Sequence, residues 1–124
     1  MAETVAVIGA SSNKEKYSNK AIRAYINQGY EVYPVNPRGG EIEGLPVYKS
    51  IADIPVDLDR VTVYLPPALT LTVLEDIAEK GTKELFLNPG SESDDVVEKA
   101  KSLGLEPILA CSIIDIGETP GDYS

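Results

Sequence analysis

Residues 4–21, TVAVIGASSNKEKYSNKA, decide the fold. Thr4 to Gly9 is an apolar, β-branched run of strand length that stops at a glycine. Hydrophobicity without alternation suits a central parallel strand covered on both faces. A polar loop follows, and then Ala21, Ile22, Tyr25 and Ile26 fall on one helical stripe. Ser18 or Asn19 is placed to cap that helix, and Gly29 to end it in the left-handed conformation. Strand, glycine turn and helix in immediate succession open a βαβ unit.

The rest of the chain repeats this unit. Glu31 to Val35 (EVYPV) reads as the second strand, and Pro34, with no N–H for a ladder, should face an edge or the strand's end. Residues 39–55 read as a small hairpin followed by a short helical turn capped at Ser50. Arg60 to Leu65 (RVTVYL) is the third strand; Pro66 and Pro67 start a helix with Val73, Leu74, Ile77 and Ala78 inward, closed by Gly81. Glu84 to Leu87 is the fourth strand. A helix capped by Ser91 or Ser93 follows, with Asp94 and Asp95 complementing its dipole and Val96, Val97, Ala100 and Leu103 on its stripe. Gly104 ends it, and Glu106 to Leu109 is the fifth strand. Residues 111–124 carry no pattern that places them. Helix, glycine and strand recur at Gly29, Gly81 and Gly104, which predicts an α/β doubly wound five-stranded parallel sheet, order 3-2-1-4-5, in a single domain over residues 1–124.

Composition narrows the chemistry. The 124 residues include no His and one Cys, which excludes His-ligated metals, Ser-His-Asp and Cys-His nucleophiles, and internal disulfides. A net charge of −9 argues against a nucleic-acid partner. No apolar run approaches the ~18 residues of a membrane span and no signal-peptide pattern opens the chain, so a cytoplasmic protein is expected. The charge is unevenly spread. Residues 1–40 hold five bases and three acids, a local +2, while the remainder holds six bases and 17 acids. That asymmetry fits an anion handled by the first third of the chain.

In a doubly wound sheet a ligand lies beyond the strand C-termini, where four loops converge. The first, at residues 9–18, departs from the dinucleotide fingerprint, because Ser11 and Lys14 stand where glycines would. Gly9, Ala10, Ser11, Ser12, Asn13 and Ser18 nevertheless offer a tight turn, hydroxyls, an amide and a helix N-terminus for a phosphate. The second loop has Asn36, Pro37 and Arg38 where an NAD site would place a carboxylate, and a cation there suits a phosphorylated ribose, as in NADP or coenzyme A. Tyr64, Leu65 and Pro66 form a stiff apolar wall suited to an adenine ring or a pantetheine arm. Asn88, Pro89 and Gly90 lead to another helix N-terminus, with Glu92 the only candidate base. Cys111 is open to three roles: buried hydrophobe, nucleophile or redox contact.

VIGASSNKEKYSNKA (7–21), YPVNPRGGEIEGLPVYKSIADIP (33–55), VTVYLPPA (61–68) and LFLNPGSES (85–93) together resemble the CoA-binding domain family. This is the Rossmann-like module that also forms the N-terminal domain of the succinyl-CoA ligase alpha subunit, and the stand-alone, single-domain proteins of prokaryotes are most similar. NPRGGEIEGLPVYKS is the most specific stretch. The resemblance implies CoA phosphates at Gly9, Ala10, Ser11, Ser12, Asn13 and Ser18, and the adenosine phosphate end flanked by Asn36, Pro37 and Arg38. It implies adenine against Tyr64, Leu65 and Pro66, and the thiol-proximal end closed by Asn88, Pro89 and Gly90. The ligases carry a phosphohistidine that a chain without His cannot form. The expected function is therefore binding of coenzyme A or an acyl-CoA without catalysis of its own. An NADP- or nucleotide-dependent small enzyme or redox sensor, and a ligand-free interaction subunit, remain alternatives, as do a protein partner and a homo-oligomer.

Overall fold

The computed structural model describes residues 2–123. In chain order the elements are β1 (Thr4–Ile8), α1 (Tyr17–Asn27), β2 (Glu31–Val35), a hairpin of β3 (Glu41–Ile42) and β4 (Leu45–Pro46), β5 (Leu58–Val63), α2 (Pro67–Lys80), β6 (Thr82–Leu87), α3 (Asp94–Ser102), β7 (Pro107–Leu109) and α4 (Ser112–Asp115). All of β1 is buried, with Val5 and Val7 in one apolar layer and Ala6 and Ile8 in the other. This two-sided burial accounts for the unbroken apolar run. Ala21, Ile22, Ala24 and Tyr25 of α1, with Ile113 of α4, fill the first layer. Leu74 and Ile77 of α2 and Val96 and Ala100 of α3 fill the second.

The five strands are all parallel, as the sequence predicts, but their order differs. The sheet reads β2-β1-β5-β6-β7, which in sequence order is 2-1-3-4-5 and not 3-2-1-4-5. Pro34 supplies the reason. Its carbonyl points outward, accepting from Tyr48 N at 2.9 Å, so its hydrogen-free nitrogen faces the same side. A third strand paired outside β2 would need an N–H there. Only the short Tyr48–Val35 bridge covers that edge, and the third strand moves to the far side of β1.

Local signals place most of the element ends. Gly29 (φ +85°) follows α1, Pro67 opens α2, and the Ser93 and Ser50 hydroxyls accept from Val96 N and Ala52 N. One expectation fails: neither Ser18 nor Asn19 caps α1, which follows Lys16 with no side-chain cap. Both are buried inside the helix instead. The Asn19 amide donates to the Ser11 carbonyl (2.9 Å) and accepts from Arg23 Nε (2.8 Å), bracing the loop that precedes the helix.

The C-terminal segment, unplaced by sequence, folds back onto α1 and the sheet. Arg60, buried in β5, lies 4.4 Å from the Phe86 ring centroid and holds Glu84 and Asp115 at 3.0 Å each. It ties α4 to the middle of the sheet. Both carboxylates are more than two-fifths exposed, so losing the guanidinium leaves them hydrated and softens the penalty of breaking a buried pair. Arg60→Met should lower stability by about 1–2 kcal/mol in urea denaturation, with hydrogen exchange accelerating most in residues 111–123. Acceleration spread evenly over the sheet would contradict the tether.

Candidate functional site

The site starts from Gly9. At φ +86° a Cβ would lie 3.2 Å from the Tyr64 carbonyl carbon and 3.1 Å from Leu65 Cδ2. The ends of β1 and β5 therefore approach as closely as a residue without a side chain allows. The Gly9 and Ala10 amides both donate to the Val35 carbonyl, at 3.2 and 3.1 Å, and Asn36 Nδ2 donates to the Ala10 carbonyl at 2.7 Å. The loops after β1 and β2 are thus one hydrogen-bonded unit. Beside them, where strand order reverses between β1 and β5, lies a cleft of about 780 Å³.

Gly9, Ala10, Ser11, Ser18, Asn36, Tyr64, Leu65, Pro66, Asn88, Pro89 and Gly90 all line this cleft, so the four loops do converge. Pro37 lines a second cavity of about 370 Å³ between α2 and the segment 49–51. Gly9, Asn36 and Leu65 line both. Ser12, Asn13 and Arg38 are exposed and line neither. The structure also brings in residues that the sequence did not single out: Lys16, Tyr17, Ser91, Ile114 and Pro120 in the cleft, and Lys49 and Asp76 in the second cavity. Cys111, half-buried, belongs to the cleft as well. Lys16 and Tyr17 sit in the quoted loop and were within reach of the motif. Ile114 and Pro120 had no such signal.

The floor of the cleft is a neutral hydrogen-bond network. Asn88, 2% exposed, donates to Thr62 Oγ1 (2.6 Å) and the Val63 carbonyl (2.9 Å), and its Oδ1 accepts from Ser112 N (2.9 Å). The Ser112 hydroxyl lies 2.7 Å from that of Thr62 and 3.2 Å from that of Tyr64. Every hydrogen-bonding direction of the Asn88 amide but one acceptor lone pair is taken up within the protein, so its side chain sets the loop rather than reaching outward. Burial pushes the Tyr64 phenol far above its usual range, against hydrogen bonds from Ser112 and Thr62, and it stays neutral.

Charge around the cleft is one-sided. No Asp or Glu is among its lining residues, in a chain of net −9, and Lys16 stands beside the uncapped start of α1. Backbone N–H groups at a helix start and a lysine form an anion-favouring rim. Among the described residues no three His, Cys, Asp or Glu gather as metal ligands, and no helix is long and apolar enough to cross a membrane.

Comparison with known proteins bears on this site. The family model described as CoA binding domain matches residues 3–116. The alpha subunit of an ADP-forming acetate–CoA ligase from Pyrococcus furiosus is 36% identical over 134 aligned positions, covering 95% of this chain but 29% of that subunit. A conserved hypothetical protein from Pyrococcus furiosus superposes with a TM-score of 0.82 at 33% identity, covering 93% of this chain and 99% of that one. A dinucleotide-forming acetyl-coenzyme A synthetase from Korarchaeum cryptofilum, solved with phosphate and ADP, gives a TM-score of 0.76 at 27% identity, covering 88% of this chain and 26% of that one. The chain thus spans less than a third of the ligase subunit's length.

Two glycines separate backbone strain from close contact. Gly90 (φ +95°) lines the same cleft, but a Cβ there meets nothing within 4 Å. Gly90→Ala should cost about 1 kcal/mol of unfolding free energy, from conformation alone. Gly9→Ala should cost about 2–3 kcal/mol, since strain and the Tyr64 backbone act together. Equal losses in chemical denaturation would remove the close approach from the account.

Proposed function

The chain belongs to the CoA binding domain family, and from that premise we propose that it binds coenzyme A or an acyl-CoA in this cleft, in the cytoplasm and without catalysis of its own. The observation that carries the reading is a cleft lining without Asp or Glu in an otherwise acidic chain, with Lys16 and the start of α1 on it, although the Glu92 carboxylate accepts from the Gly90 amide at its edge (3.4 Å). The pyrophosphate takes the loop of Gly9, Ala10 and Ser11 with Ser18 beside the start of α1. The Gly9 and Ala10 amides are held by the Val35 carbonyl, so these two residues shape the loop and the donors come from Ser11, Ser18 and the helix start. The two cavities meet at Gly9, Asn36 and Leu65, so an extended ligand passes from one into the other. Its adenosine end lies toward the second cavity, and its pantetheine arm runs past Pro66, Pro89 and Gly90 toward Cys111 and Ile114.

A binding role also suits what the cleft lacks the means to do. Its ionisable side chains are Lys16, Tyr17, Tyr64 and Cys111, and Tyr64 is held neutral. No carboxylate or imidazole stands beside a hydroxyl or thiol there, so nucleophile, base and orienting group do not come together. The chain matches only 29% of the length of the ligase subunit from Pyrococcus furiosus, so that subunit's activity is not carried over to it.

Isothermal titration with CoA, dephospho-CoA, NADP and NAD tests the reading. CoA should bind most tightly, and a hundredfold excess over its Kd should add about 2.7 kcal/mol of stability. Tightest binding by NAD, or no thermal shift with CoA, overturns it. Lys16→Glu replaces the lining's lysine with a carboxylate and should weaken CoA by about tenfold or more. Unchanged affinity in that variant would move the phosphates away from α1.

A further inference from the structure

The second cavity holds a feature that neither motif nor loop position predicts. Its lining contains two ionisable residues, Lys49 and Asp76, among apolar side chains that include Ile51, Leu65, Leu69 and Val73. No ion pair within 4.0 Å joins the two, and neither belongs to any ion pair among the described residues. Arg38, the cation that sequence places at this end, is exposed and lines neither cavity, although Asn36 and Pro37 beside it do. The Asn36 side chain accepts from Arg38 N at 2.9 Å and the Asn36 carbonyl from Gly39 N at 3.0 Å, which closes the turn tightly around residues 36–39.

Lys49 reaches the same turn from the other arm of the hairpin. Tyr48 N donates to the Pro34 carbonyl and Asn36 N donates to the Tyr48 carbonyl, both at 2.9 Å, so the returning chain lies alongside the end of β2. On its other side Ser50 caps the turn at Ile51–Asp53, and Ile51 is buried in the core. Lys49 is therefore held at the backbone on both sides. Its side chain lies over Gly39, where a Cβ would come within 3.1 Å of Cε. An ammonium on this rim and a carboxylate on the α2 wall polarise the slot between them: an anion is drawn to Lys49 and turned away from Asp76, and an aromatic base fits the apolar walls.

We propose that Lys49, and not Arg38, is the cation that reads the phosphate monoester on the ribose of the bound cofactor. This rests on the CoA reading above and adds the residue that distinguishes CoA from its dephosphorylated form. Lys49 is exposed, so its replacement leaves the core untouched.

The test is a calorimetric comparison of CoA with dephospho-CoA for the unaltered chain and for Lys49→Met, Lys49→Arg and Arg38→Ala, each variant first shown to melt like the unaltered chain. The unaltered chain should prefer CoA, and Lys49→Met should cut that preference by about tenfold while leaving dephospho-CoA within about twofold. Lys49→Arg should retain the preference, and so should Arg38→Ala. Equal loss of both ligands in Lys49→Met, an undiminished preference there, or its disappearance in Arg38→Ala overturns the assignment. Binding of CoA and dephospho-CoA alike by the unaltered chain overturns it while leaving the CoA reading intact. Binding of neither brings down both.

Discussion

A backbone nitrogen without a hydrogen, at Pro34, constrains the strand order and, through it, both cavities. Because its outward side has no N–H to offer, β2 ends the sheet and the third strand pairs on the far side of β1. That order puts the reversal between β1 and β5, and the reversal is where a doubly wound sheet opens. The same outward carbonyl is free to accept from Tyr48, which returns the hairpin to the carboxyl edge and carries Lys49 with it. One imino acid thus sets both the position of the cleft and the neighbour of the second cavity.

The proposed binding of an anionic ligand by a strongly acidic chain turns on where the acids lie. Glu75, Glu79, Asp94, Asp95 and Glu98 are exposed on α2 and α3, outside the lining of both cavities. At physiological ionic strength their field fades over about 8 Å, whereas the N–H groups at the start of α1 act at hydrogen-bond distance. Local donors decide affinity, and the net charge acts chiefly on the rate of encounter at low salt. The Asn88 network contributes rigidity without charge: it joins β5, β6 and α4, so the loop at residues 88–90 is set before any ligand arrives.

Much of this was legible because the relevant signals are local. Apolar runs gave the strands, Gly29 and Ser93 gave helix ends, and the NPRGG turn follows β2 directly. β5 begins at Leu58 rather than Arg60, because Asp59 and Arg60 break the apolar run although Arg60 is buried against Phe86 and two carboxylates. Strand order is not carried by periodicity, since short apolar strands look alike in any arrangement; the distinguishing residue was Pro34. Ser112 and Ile113 are buried by partners dozens of residues away, and no period in the tail announces this. Lys49 was hidden because the hairpin register depends on a bridge to Pro34 that only the folded chain makes.

The start of α1, like those of α2 and α4, has no side-chain cap. Ser93 caps α3 and Ser50 caps the turn at Ile51–Asp53. At α1 the serine and asparagine within reach are turned inward, Asn19 bracing the Ser11 carbonyl and Ser18 buried on the cleft wall. Their burial costs the helix an N-cap worth about 1 kcal/mol, and the loop gains a fixed shape in exchange. On the proposed CoA reading, a phosphate at that position would supply the missing acceptor and its charge together, so that ligand binding and helix capping would be a single event. On that reading affinity would come from a terminus the fold holds ready, without any group that must change its protonation state.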